Sequence, residues 1–111
     1  MSVKNSIRPI ELTSFNTTGL STAFKVINTN GLDESCFLIR IINESNKDVT
    51  VSYDGATSHD YVPIGETVEI RGLLYSNDRA EFPKGLKIYI KGIGAGTGLV
   101  YLSGYNRPQG I

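Results

Sequence analysis

His59 stands between Ser58 and Asp60, five residues after Asp54, and is the only histidine in the chain. An imidazole among carboxylates is the grouping that moves protons or binds a metal. Catalytic zinc takes three protein ligands and structural zinc four, and a serine triad needs an oriented nucleophile; no motif here supplies either, so His59 reads as a loop residue. Asp54, Asp60 and neighbouring carbonyls would suit calcium, which accepts loop oxygens, as the alternative to a plain loop. Glu66 and Glu69 are an odd number of positions apart, so one strand sends them to opposite faces and they cannot act as a glycosidase pair. Glu69 is expected opposite a lysine or arginine on the wet face, with Arg71 beside it. The run Gly92-Ile93-Gly94-Ala95-Gly96-Thr97-Gly98 resembles a phosphate cradle in composition. Such a loop must open a helix or end in Lys-Ser or Lys-Thr. Here the strand-like Leu99-Val100-Tyr101-Leu102 follows, which makes the run a hairpin tip or a site of close backbone contact with a partner. No catalytic residue, metal site or cofactor is expected. Cys36, the one cysteine, reads as a small buried hydrophobe.

Binding chemistry is a different matter. The chain has six tyrosines and no tryptophan, and a phenol ring joins a large apolar face to a polar tip. Tyr53, Tyr89, Tyr101 and Tyr105 are candidates for a sugar-stacking or partner-binding surface, although core and cross-strand packing explains most of them as well. Tyr89 is the best of these because its outward phase leaves it among Lys87 and Lys91. At the other end, Ser2 to Ile7 has too little apolar content to dock firmly, while Ile10, Leu12 and Phe15 follow within reach. An extended arm of this kind can add a strand to a neighbour's sheet edge. The candidate partner-binding residues are therefore Ile10, Leu12, Phe15, Tyr89 and Tyr105.

Strands must position these side chains. Cys36 to Ile42 is apolar on both faces except at Arg40, as expected of a central strand covered on both sides. Val49, Val51 and Tyr53 alternate with Thr50 and Ser52, a strand with one buried face, and the polar stretch Asn43 to Asp48 joins the two as a tight turn. Further strands are expected over Ile7 to Phe15, where Pro9 demands an edge or a strand start, and over Ala23 to Asn28, Tyr61 to Val62 and Thr67 to Arg71. Leu86 to Lys91 with Leu99 to Tyr105 reads as a closing hairpin. Leu73 to Lys84 has no clean period and room for one short helical turn. Strands recurring about every ten residues predict an all-β antiparallel sandwich of about seven to eight strands, jelly-roll or immunoglobulin-like. Residues 1–111 are expected to form one domain, with 1–20 as a possible extended arm.

Eleven basic and eleven acidic residues balance, so no global field draws the chain to a phosphate backbone or an anionic membrane. Neither an apolar signal run nor a stretch of eighteen apolar residues occurs, so a soluble protein made in the cytosol is expected.

Residues 35–105 carry the phrases FLIRIINESNKDVTVSYDG, YVPIGETVEI and KGLKIYIKGIGAGTGLVYLSGY. This succession resembles small β-sandwich virion proteins of tailed bacteriophages, in which an I-x-I-x-N strand leads to a V-x-V-S-x-DG strand and then a Pro-Gly turn. The resemblance implies a non-enzymatic structural protein, either an auxiliary or decorating capsid component or a small head–tail ring or portal–tail adaptor component. It implies assembly with other virion proteins and with itself as a homo-oligomer, and localisation in the virion after synthesis in the host cytoplasm. No specific nucleic acid, membrane or small-molecule ligand is expected. The alternative from another class is a carbohydrate- or receptor-binding β-module that uses the tyrosines and the loops around Asp54 to Asp60.

Overall fold

The computed structural model describes residues 8–74 and 79–106. Its strands are β1 (Arg8–Pro9), β2 (Thr13–Asn16), β3 (Lys25–Val26), β4 (Leu38–Ser45), β5 (Val49–Ser52), β6 (Asp60–Val62), β7 (Thr67–Arg71), β8 (Leu73–Leu74), β9 (Arg79–Ala80), β10 (Tyr89–Lys91) and β11 (Gly98–Asn106). Two antiparallel sheets pack face to face as a β-sandwich. One has five strands in the order β1-β11-β4-β7, with β2 also on β11; the other has four in the order β3-β10-β5-β6. The short β8 and β9 pair only with each other. No α-helix occurs among the described residues.

Period-two alternation accounts for the core. Ile39 and Ile41 of β4, with Val100 and Leu102 of β11, face Val49 and Val51 of β5, Val62 of β6, and Ile88 and Ile90, all at 0% exposure. Burying each such side chain is worth roughly 1.5–3 kcal/mol, the main favourable term of the fold. Cys36 is buried in the same cluster, and burial pushes its thiol up to about 11, with the nearby Glu34, Asp33 and Glu81 carboxylates acting the same way against a backbone hydrogen bond at Tyr105. As expected, β4 is central, between β11 and β7. Its outer face is half-covered rather than sealed: Leu38, Arg40 and Ile42 are all partly accessible.

Two expected hairpins are absent. β4 and β5 lie in different sheets, as do β10 and β11. The reason for the first is Asn43, fully buried on the inner face of β4. Its Nδ2 donates to Lys47 O at 2.7 Å and Val62 O at 2.9 Å, while its Oδ1 accepts from Ser45 N at 3.0 Å and Ser45 Oγ at 2.7 Å. One carboxamide thus ties the end of β4, the following corner and β6, and the chain crosses between sheets instead of folding back in the same one. Behind the second is the glycine-rich run, which bridges the two sheets. It ends at Gly98, whose φ of 95° is the left-handed region that favours glycine, and a Cβ there would stand 2.6 Å from Glu44 O. The close backbone contact at this run is therefore with the chain's own β4.

Along β11 the N-terminal residues pair in succession, Pro9 with Tyr105 and Phe15 with Val100. Ile10 N donates to Gly104 O at 2.9 Å between those two short strands. A 3-10 turn at Thr17–Gly19 then locks down, with buried Thr17 donating through Oγ1 to Gly98 O at 2.9 Å. Residues 8–20 accordingly lie on the body of the sandwich rather than leaving it as an arm. Residues 1–7, the remainder of the expected arm, and 75–78, within the segment given room for a helical turn, lie outside the described residues.

Candidate functional site

The histidine loop is held by its own groups. Tyr53 N–H donates to His59 Nδ1 at 3.1 Å, the two rings stack at 5.4 Å, and Tyr53 Oη donates to Asp60 Oδ2 at 2.7 Å. Burial first, and then the Asp60 carboxylate, push the Tyr53 phenol far above its ordinary range. Asp54 Oδ1 accepts from Ala56 N, Thr57 N and Ser52 Oγ, each at 2.8 Å. Led by the two amides, these donors hold its carboxyl well below the usual range. An aspartate closing its own turn in this way is an architectural device. No group of three or more metal-ligating side chains occurs among the described residues. Glu66 is exposed before β7, while Glu69 lies in register with Arg40 and pairs with Arg71 at 3.4 Å on the outer face.

The four tyrosines singled out from the sequence do not share a surface. Tyr101 and Tyr105 point outward from β11, whereas Tyr89 points outward from β10 on the opposite side of the sandwich, because those strands belong to different sheets. Tyr89 is half-buried under the turn at Gly55, where a Cβ would stand 3.3 Å from its ring. Tyr53 packs against the core. Among the other candidates, Ile10 and Phe15 also pack against the core, and Leu12 is exposed.

Two surfaces remain as candidate sites. The first is the outer face of the five-stranded sheet. In register across β4 and β11 it pairs Leu38 with Tyr105, Arg40 with Ser103, Ile42 with Tyr101 and Glu44 with Leu99. Five apolar or aromatic side chains thus flank one polar pair, and in that pair the buried Arg40 Nε and Ser103 Oγ have no hydrogen-bond partner. Solvent-facing strand positions are ordinarily polar, and a buried polar atom ordinarily has a partner.

The second is a cleft of about 450 Å³ at one end of the four-stranded sheet, lined by residues that include Thr22, Lys47, Asp48, Tyr61, Ile64 and Lys91. Its floor is a register row across three strands, Tyr61 on β6, Thr50 on β5 and Lys91 on β10. Lys91 Nζ lies 4.6 Å over the Phe24 ring, which positions the ammonium. Asp48 Oδ1 accepts from Ile64 N at 2.9 Å, and the neighbouring Asp48 carboxylate raises the Tyr61 phenol above its ordinary range. Tyr61, Ile64 and Ile93 are among the exposed large hydrophobic residues, Ile93 at 88%. Sequence reasoning missed this cleft. Its available signal was an isoleucine at each of two turn tips, Pro63-Ile64-Gly65 and Gly92-Ile93-Gly94, where no core can receive it.

No protein-family model, curated protein or solved structure matches this chain.

Proposed function

We propose that this protein is a non-enzymatic structural protein of a tailed-phage virion, an auxiliary or decorating capsid component or a small head–tail ring component, acting by protein–protein assembly. The observation that carries the reading is the outer face of the five-stranded sheet, with Leu38, Ile42, Leu99, Tyr101 and Tyr105 around the unsatisfied Arg40 and Ser103 atoms. A partner on this face removes apolar area from water and supplies acceptors for the guanidinium and the hydroxyl, the combination found at the centres of protein interfaces. The resemblance of residues 35–105 to virion proteins points the same way, and copies of this chain and neighbouring virion proteins are the partners it implies.

The test is incorporation. The protein is mixed with the particles of its virus assembled without it, and copy number per particle is measured after sedimentation. Ile42→Lys and Tyr101→Lys should leave the monomer folded, because both side chains are partly accessible, and should abolish incorporation. Full incorporation of both variants sinks the reading. The cleft favours a second reading, a carbohydrate- or receptor-binding module, since an exposed tyrosine beside polar side chains in a concave site is the usual geometry for holding a sugar.

A further inference from the structure

From the cleft we infer a binding site for carboxylated sugar units, as in an acidic polysaccharide; the inference rests on the binding-module reading. Hydrogen-bonding capacity is the first argument. The one carboxylate in the lining, Asp48, already accepts from Ile64 N through Oδ1. Asn46 Oδ1 is taken by Thr97 N at 2.8 Å, which leaves the Asn46 amide N–H groups as donors. Lys47 and Lys91 form no ion pair with any described residue, and Thr22 and Thr50 add hydroxyls to the lining. Donors therefore exceed acceptors, and the formal charge of the lining is positive: two lysines against one aspartate. The complementary ligand is rich in acceptors and carries an anionic group.

Shape supplies the second argument. Tyr61 and Ile64 form an exposed apolar wall beside those donors, and the exposed Ile93 also lines the cleft. A ligand that fits must place an apolar face against a phenol ring while its edge presents hydroxyls and a carboxylate, and a pyranose acid has that division. Bare phosphate would leave the wall in water. A neutral sugar would leave the net positive charge of the lining without a counter-charge.

The probes are a galacturonic acid tetramer and sialyllactose, with lactose and inorganic phosphate as comparisons, titrated into the full chain by calorimetry and followed by amide chemical shifts. The expected result is saturable binding of at least one acidic saccharide, with shifts centred on Thr50, Tyr61 and Lys91 and affinity falling as salt rises. Tyr61→Ala and Lys47→Gln, both away from the core, should each weaken binding about tenfold or more, in keeping with the loss of a stacking wall or of a charged hydrogen bond. Lactose binding as tightly as the acids overturns the acid specificity while leaving a sugar-binding module standing. Phosphate binding as tightly as the acids, with Tyr61→Ala without effect, reduces the site to a general anion site and overturns the proposal. Absence of binding by every saccharide at millimolar concentration overturns both the proposal and the binding-module reading.

Discussion

Replacing Asn43 by alanine tests the corner that sends β4 and β5 into different sheets. The side chain is fully buried and makes four hydrogen bonds. Lys47 O retains a second donor in Ser45 Oγ at 3.1 Å, so the main losses fall on Val62 O and Ser45 N–H. At about 1–3 kcal/mol for each buried group left without its partner, the expected cost is about 2–6 kcal/mol. That is a large part of a total stability of ~5–15 kcal/mol. With about 4 °C per kcal/mol for a domain near this size, Tm should fall by roughly 8–24 °C. Asn43→Leu fills the volume but carries neither donor nor acceptor, so it should lose a similar amount. Asn43→Asp sets a carboxylate oxygen against the carbonyls of Lys47 and Val62; its folded pKa should rise, so this variant is most stable below pH ~4 and loses stability as pH increases through the folded value. Urea unfolding followed by tyrosine fluorescence measures all three. An Asn43→Ala protein within about 0.5 kcal/mol of the parent, or a leucine variant of parental stability, would refute the hydrogen-bonded corner as the cause.

Ile41→Ala empties a site at 0% exposure in the central strand and should cost about 2–5 kcal/mol by urea midpoint. Gly98→Ala should destabilise by more than about 1 kcal/mol, given its φ of 95° and the approach of Glu44 O, whereas Gly94→Ala, with nothing within 4 Å, should stay close to the parent. Equal thermal shifts for the two would contradict the strained crossing. The Cys36 thiol should resist Ellman's reagent at pH 8 until the protein unfolds, since it is buried and its pKa is raised to about 11. With the folded pKa above the unfolded one, its contribution to stability is complete below the ordinary thiol pKa of 9.0 and is lost as pH rises toward about 11. Cys36→Val should flatten that part of the urea-midpoint profile, and an unchanged slope would argue against the thiol as its source.

Alternation along the chain determined which side chains face inward: Val68 and Ile70 against Thr67, Glu69 and Arg71, or Ile88 and Ile90 against Tyr89 and Lys91. That follows because a strand's side-chain period is two whatever it pairs with, and it sufficed for an all-β sandwich with β4 at the centre of its sheet. Pairing is another matter. A strand in a hairpin and a strand that arches over to the facing sheet bury the same alternate residues, so the pattern of Val49 and Val51 is silent on whether β4 is their hydrogen-bonded neighbour. Only the tertiary structure decided this, through the Asn43 carboxamide and the crossing at Gly98. The candidate surfaces divide along the same line. Tyr101 and Tyr105 were legible as residues of one strand, but their outward direction and their separation from Tyr89 required knowing that β10 and β11 lie on opposite sides. The cleft joins Lys47, Tyr61 and Lys91 from segments far apart in the chain, and lateral register across β6, β5 and β10, a non-local property, is what brings Tyr61 and Lys91 to one floor.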